Sequence, residues 1–266
     1  MATLIEFIFS LIYVPIVLTI ASYLLVKARK IKAGNVVYIS VFFYLIAVDY
    51  LFVVFEIPHF IYSIYTNTPL ILMILFVKST FYKDKSSYFL VVLAFFIVLR
   101  VIDFLLRIGN HFMIPQVVEI TKTQVSLYYV FEITVISNSI IVNGWFFYST
   151  VNTYRSIKSA SITPWVKKRY LILSYSVLAS MINISLSLFI PPEGGWYLGS
   201  TLSFGVALLK IPFLMIFLFG NLIGWVMPTR VKEYFNRGYT ELNGNDSNEK
   251  KLLTIIKELL SSNITS

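Results

Sequence analysis

Runs of apolar residues, each about the length of a bilayer crossing and bounded by charged or polar residues, divide most of the chain into seven segments. A helix needs roughly 20 such residues to cross about 30 Å of hydrocarbon. The first run extends from Thr3 to Val26, interrupted only by Glu6, and stops at Lys27, Arg29, Lys30 and Lys32. The second covers Val36 to Ile57, the third Pro69 to Tyr82, the fourth Ser87 to Arg107 and the fifth Gln124 to Tyr148. Tyr170 to Ile190 carries no charge and forms the sixth, and the seventh begins near Trp196 and stops at Pro228. The third is the shortest. The pattern predicts an all-α, polytopic integral membrane protein built as a seven-helix transmembrane bundle.

After Pro228 the pattern changes. Thr240 to Ser247 is mostly polar and contains Gly244, which reads as a linker. Leu252, Leu253, Ile255, Ile256, Leu259 and Leu260 then recur with helical spacing, interrupted by Lys250, Lys251, Lys257 and Glu258. The chain therefore divides into a membrane region, residues 1–228, and a cytoplasmic tail, residues 229–266, with a short amphipathic helix at about 248–261. That helix is expected to lie on the inner leaflet or to dock a cytoplasmic partner.

Composition removes the soluble alternative. Of 266 residues 58% are hydrophobic and only 13% charged, against about 25% charged in an ordinary soluble domain. The formal net charge is +9. Lysine and arginine beside a span resist translocation, so their distribution sets orientation. With the N-terminus outside, 17 of the 22 basic residues fall on the cytoplasmic side, which predicts an N-out, C-in topology. The first span lacks a positive leader and reads as a signal anchor. The surplus charge is then the mark of one membrane face, one that also attracts anionic lipid headgroups, and nucleic-acid binding is not needed to explain it.

Charges inside the spans are the candidates for function, because an ionisable group near the bilayer centre costs at least about 2.5 to 3.5 kcal/mol on insertion scales. Glu6, Glu56, Lys78 and Arg107 lie close enough to helix ends to snorkel. Five others do not. At a rise of 1.5 Å per residue, Asp49 lies about 20 Å from the inner start of the second helix, and Arg100 and Asp103 about 20 to 25 Å along the fourth. Glu132 lies about 12 Å below the outer end of the fifth, and Lys210 near the middle of the seventh. These three acids and two bases fall at the midplane or outward of it. They form either a polar path open to the outside, or structural ion pairs in which Asp103 neutralises Arg100 and Lys210 meets Asp49 or Glu132. Pro212 cannot donate to the carbonyl of Leu208 and is expected to kink the helix beside Lys210. Gly220 and Gly224 match the spacing that lets two helices approach closely. Asn138, Asn143, Asn183 and Asn221 are candidate interhelical hydrogen-bond donors.

Enzyme chemistry finds little support. His59 and His111 sit at the outer ends of different spans, and there is no HExxH, no GxSxG and no phosphate-binding glycine loop. With no cysteine, a thiolate site is excluded. The reading is a protein that is not an enzyme and holds neither cofactor nor metal.

Three resemblances enter here. Seven helices with Lys210 midway along the last are similar to the retinal-binding rhodopsins, whose chromophore is attached to a lysine there. However, Leu208-Leu209-Lys210-Ile211-Pro212 departs from that family's Asp-x-x-x-Lys pattern, the third span has no acid, and the sixth lacks Trp and Pro. Enrichment in Ile, Tyr and Ser, the absence of Cys and a compact seven-span body resemble membrane proteins of thermoacidophilic archaea. Size and topology are similar to the polytopic membrane component of the crenarchaeal DNA-exchange (Ced) system. That resemblance implies a DNA-import component in the cell membrane, working with other membrane subunits and a cytoplasmic ATPase, with DNA as cargo; it rests on architecture and assigns no residue. Thr163-Pro164-Trp165-Val166-Lys167-Lys168-Arg169 and Asn236-Arg237-Gly238-Tyr239 also resemble the inner ends of helices in seven-span sensor modules, so a sensor signalling to a separate cytoplasmic partner stays open. Three acids against two bases do not suit a passive pore for a polyanion, so a DNA cargo would require partner subunits to form the conduit.

Overall fold

The structure, a computed structural model, describes residues 2–54, 65, 67–82, 86–108, 122–160, 162–190 and 201–237. Among these residues all regular structure is helical. The elements are α1 (Ala2–Ile31), α2 (Gly34–Val54), α3 (Asn67–Phe81), α4 (Ser86–Ile108), α5 (Lys122–Ile157), α6 (Pro164–Ser185) with a 3-10 turn after it (Leu186–Phe189), α7 (Thr201–Val226) and α8 (Thr229–Phe235). Five contain stretches long and apolar enough to cross a membrane: Leu11–Ile31, Phe89–Leu106, Val125–Ile157, Pro164–Phe189 and Leu202–Val226. Gly34–Asp49 and Thr68–Phe81 are shorter apolar helices, at the positions of the second and third apolar runs. The architecture is all-helical, with helices suited to a bilayer. Glu56, His59, His111 and the amphipathic helix expected at about 248–261 lie outside the described residues.

Several helices run past the ends of their apolar stretches. α5 continues nine residues beyond Tyr148 to Ile157, because its polar residues turn inward on their own helix. Thr150 Oγ1 bonds to Phe146 O at 3.0 Å, Thr153 Oγ1 to Ser149 O at 2.8 Å and Ser156 Oγ to Asn152 O at 3.0 Å. A hydroxyl satisfied in this way needs no water, so these polar residues can be carried within the helix. α6 begins earlier than its charge-free run, at Pro164, whose fixed φ and missing N–H suit the first helical position.

The stops are made locally. At the end of α1 the Ala33 N–H bonds to Ala28 O at 3.1 Å and the Lys32 N–H to Arg29 O at 3.4 Å. This is the double bond pattern of a Schellman cap, with Lys32 (φ 51°) in the left-handed position that glycine usually fills. α7 ends at Met227 (φ 44°) and Pro228, which cannot continue the helix.

Packing order is simple. α1 packs on α2 and α7, α2 on α3, α3 on α5, α5 on α6, and α6 on α7. Six helices thus close a ring in which the first long helix touches the last. α4 stands outside, against α5 and more lightly against α3. Its contact stripe holds Phe96 and Asp103, both buried, while Leu90, Phe95 and Leu105 are about 60% exposed. An apolar surface of that extent suits lipid rather than water.

The α6–α7 contact is a close one. A Cβ added at Gly220 would lie 2.8 Å from Ser176 Cβ, and one at Gly224 would lie 2.5 Å from Leu173 Cδ2. The two glycines therefore face α6 of the same chain and let its backbone approach. Two hydrogen bonds cross the seam, Ser176 Oγ donating to Phe217 O at 2.9 Å and Asn221 Nδ2 to Ser176 Oγ at 2.5 Å, and Trp225 Nε1, donating to Asn221 Oδ1 at 3.0 Å within α7, holds the amide in place. Gly220→Val forces two well-packed helices apart and is expected to lower stability by about 1 to 3 kcal/mol. A thermal melt in detergent measures this, with Gly220→Ala expected to fall between the two.

Candidate functional site

α5 carries the polar interior. Glu132, Thr134, Asn138, Ser139, Asn143, Ser149, Thr150 and Thr153 are all buried along it. Toward the end of α5 the hydroxyls bond to their own backbone, and Thr150 also accepts from Ser174 Oγ of α6 at 2.9 Å. Nearer the start of α5 the partners change from hydroxyls to charges.

Lys210 lies nine residues into α7, about 14 Å from its start. Its ammonium donates to Ser187 Oγ at 2.9 Å, and its own carbonyl accepts from Asn183 Nδ2 at 2.8 Å. The 3-10 turn after α6 is what carries Ser187 to this point, and it also brings Ile190 O to the Tyr128 hydroxyl at 3.3 Å. Glu132, only 3% exposed one turn after Tyr128 on α5, is the acid whose charge acts on both Lys210 and Tyr128. α7 runs continuously through Pro212. Asn183 takes the carbonyl of Lys210 rather than that of Leu208, the one Pro212 leaves without its helical donor.

A second pair lies beside this group. Arg100 Nη1 meets Asp103 Oδ2 at 3.1 Å along one face of α4, with Asp103 fully buried and the guanidinium 5.4 Å over the Phe96 ring. Phe89, near the start of α4, contacts Trp145 in the second half of α5, so the two helices run antiparallel. Fourteen residues up α4 and fourteen back along α5 from that contact are Asp103 and Phe131, which sets Asp103 level with Glu132. Four of the five candidates, Arg100, Asp103, Glu132 and Lys210, therefore share a level on α4, α5 and α7. Asp49 stands apart on α2, half-buried, where its charge acts on the Tyr65 hydroxyl. That hydroxyl donates to Leu45 O at 2.8 Å.

Sequence reading missed Ser187 and Tyr128, because a serine or tyrosine at the end of an apolar run looks like any interfacial residue. Asn138 was legible only as a possible glue residue. It is fully buried, and both its amide atoms lack a hydrogen-bond partner among the described residues. Within the same residues no three side chains of the His, Cys, Asp and Glu type come together to hold a metal ion.

No known protein family, curated protein or solved structure matches the chain.

Proposed function

We propose that this protein is a multi-pass membrane transport or translocation subunit, with seven spans, its N-terminus outside and its C-terminus in the cytoplasm. Its outer-half charges line a hydrophilic path. The observation that carries this reading is the burial of Glu132 and Asp103 at one level in an apolar bundle, with Lys210 held by Ser187 beside them. Each such charge is costly in a bilayer, and ionisable groups kept there in spite of the cost mark pathways or binding sites. Orientation is supported by the basic residues. Lys27, Arg29 and Lys30 lie in the last turns of α1 with Lys32 just past them, Arg155 to Arg169 run from the end of α5 into α6, and Arg230 to Arg237 follow α7.

The cargo class that fits the architectural resemblance is DNA, moved together with partner membrane subunits and a cytoplasmic ATPase. A cell that depends on this protein tests the path. Lys210→Ala and Asp103→Asn are each expected to reduce uptake at least tenfold while the protein stays in the membrane, and full uptake by both ends the reading. A deletion strain scored in parallel for DNA uptake, solute uptake and transcriptional response separates cargo from signal.

A seven-helix sensor is the second reading, favoured by α8. Trp165 N–H donates to Asn236 Oδ1 at 3.3 Å and Lys232 lies 4.7 Å over the Trp165 ring. A movement of α6 would therefore carry α8 with it toward a cytoplasmic partner.

A further inference from the structure

The corner where α5, α6, α7 and α8 end together is the most basic surface in the described structure. Three of its cations are turned inward. Lys232 lies over Trp165, Arg169 sits 5.4 Å over the Trp225 ring, and Lys167 Nζ donates to Lys158 O at 2.9 Å, drawing the α5–α6 loop back on α6. Lys168, Arg230 and Arg237 are left exposed around them. Tyr234, 62% exposed, has the Arg237 guanidinium 5.3 Å over its ring. Glu233 is the one acid among the described residues of the α5–α6 loop and α8.

We propose that this corner is a binding surface for the phosphate groups of anionic phospholipids in the leaflet it faces. The partner class follows from where the cations sit. Only Met227 and Pro228 separate the end of α7 from the start of α8, so α8 has no linker with which to leave the level of the helix ends. It stays at headgroup depth. Aromatic rings at that depth are the usual companions of a bilayer interface, and here Trp165 and Tyr234 each carry a cation on their faces. Arginine presents two parallel donors to a phosphate, and Arg230 in the first turn of α8 and Arg237 in the turn just after it bracket the short helix, both exposed. A soluble acidic partner has no comparable reason to meet residues fixed at the membrane plane.

The inference rests on the membrane-spanning reading but not on the outer-half path, and its readout is lipid retention rather than uptake. The full chain, purified in neutral detergent, is titrated with phosphatidylglycerol and with phosphatidylcholine, and retained lipids are counted by native mass spectrometry. The wild type is expected to retain phosphatidylglycerol preferentially. The triple variant Lys168→Gln, Arg230→Gln, Arg237→Gln is expected to lose roughly fivefold in affinity for each charge removed. Lys168→Arg, Arg230→Lys, Arg237→Lys keeps binding, which guards against a fold effect. Equal retention of the two lipids by the wild type, or undiminished retention by the glutamine variant, overturns the proposal. So does tighter binding of soluble polyglutamate than of phosphatidylglycerol, which would assign the surface to an acidic protein.

Discussion

Asp103→Asn is expected to lower the unfolding free energy by about 3 to 5 kcal/mol, the cost of removing one partner from a buried ion pair. Asp103 is fully buried, and its carboxylate neutralises an Arg100 side chain that is itself only 12% exposed. Asparagine keeps the shape of the carboxylate and removes its charge, so the mostly buried guanidinium loses the charge that Asp103 sets against it. Chemical denaturation in mixed micelles measures the loss. The double variant Arg100→Leu, Asp103→Leu is expected to recover most of it, since apolar residues of similar volume replace buried pairs at little cost. That recovery makes the pair useful beyond stability. A stable double variant that no longer supports uptake places the pair in the path, whereas one that transports normally makes it glue between α4 and α5.

Phe76→Ala is expected to cost about 3 kcal/mol, near the lower end of the range for truncating a buried phenylalanine. The lower end applies because in lipid the lost contacts, rather than transfer from water, carry the penalty. Phe76 is 2% exposed and meets three rings edge-on: Phe81 at 6.3 Å, Phe146 at 5.9 Å and Trp225 at 5.6 Å. These contacts tie α3 to α5 and, across the ring, to α7. A methyl group in its place leaves a void bordered by all three helices, so Phe76→Leu is expected to restore about half of the loss. Unfolding of Phe76→Ala at the same denaturant concentration as the wild type would show that these aromatic contacts do not hold α3 in place.

Helix positions were legible in the sequence because apolar length and flanking charge are properties of single segments. The stop of α7 at Pro228 could be read directly, whereas α1 runs through the basic residues that close its apolar run and ends only at Ile31. Neighbour order could not be read. In lipid a helix is apolar on its packed face and on its exposed face alike, so hydropathy does not say which way α4 points or that it lies outside the ring. Gly220 and Gly224 revealed a close approach through their spacing, but the partner, Ser176 and Leu173 on α6, depends on the fold. The same limit applies to the charges. Arg100 and Asp103 pair within one helix, and their i, i+3 spacing announced it. The link between Lys210 and Ser187 depends on a 3-10 turn that no periodicity signals, and Asp49 belongs to a different helix neighbourhood from the other four.

The contact between α1 and α7 has a consequence for how the protein is made. Chains emerge from the ribosome N-terminus first and fold as they emerge, yet the face that α1 gives to α7 has no partner until the last long helix has been inserted. Lys210 arrives at the same late moment, so its bond to Ser187 forms only when α7 docks. Assembly of the described helices therefore ends where α7 closes on α1 and α6.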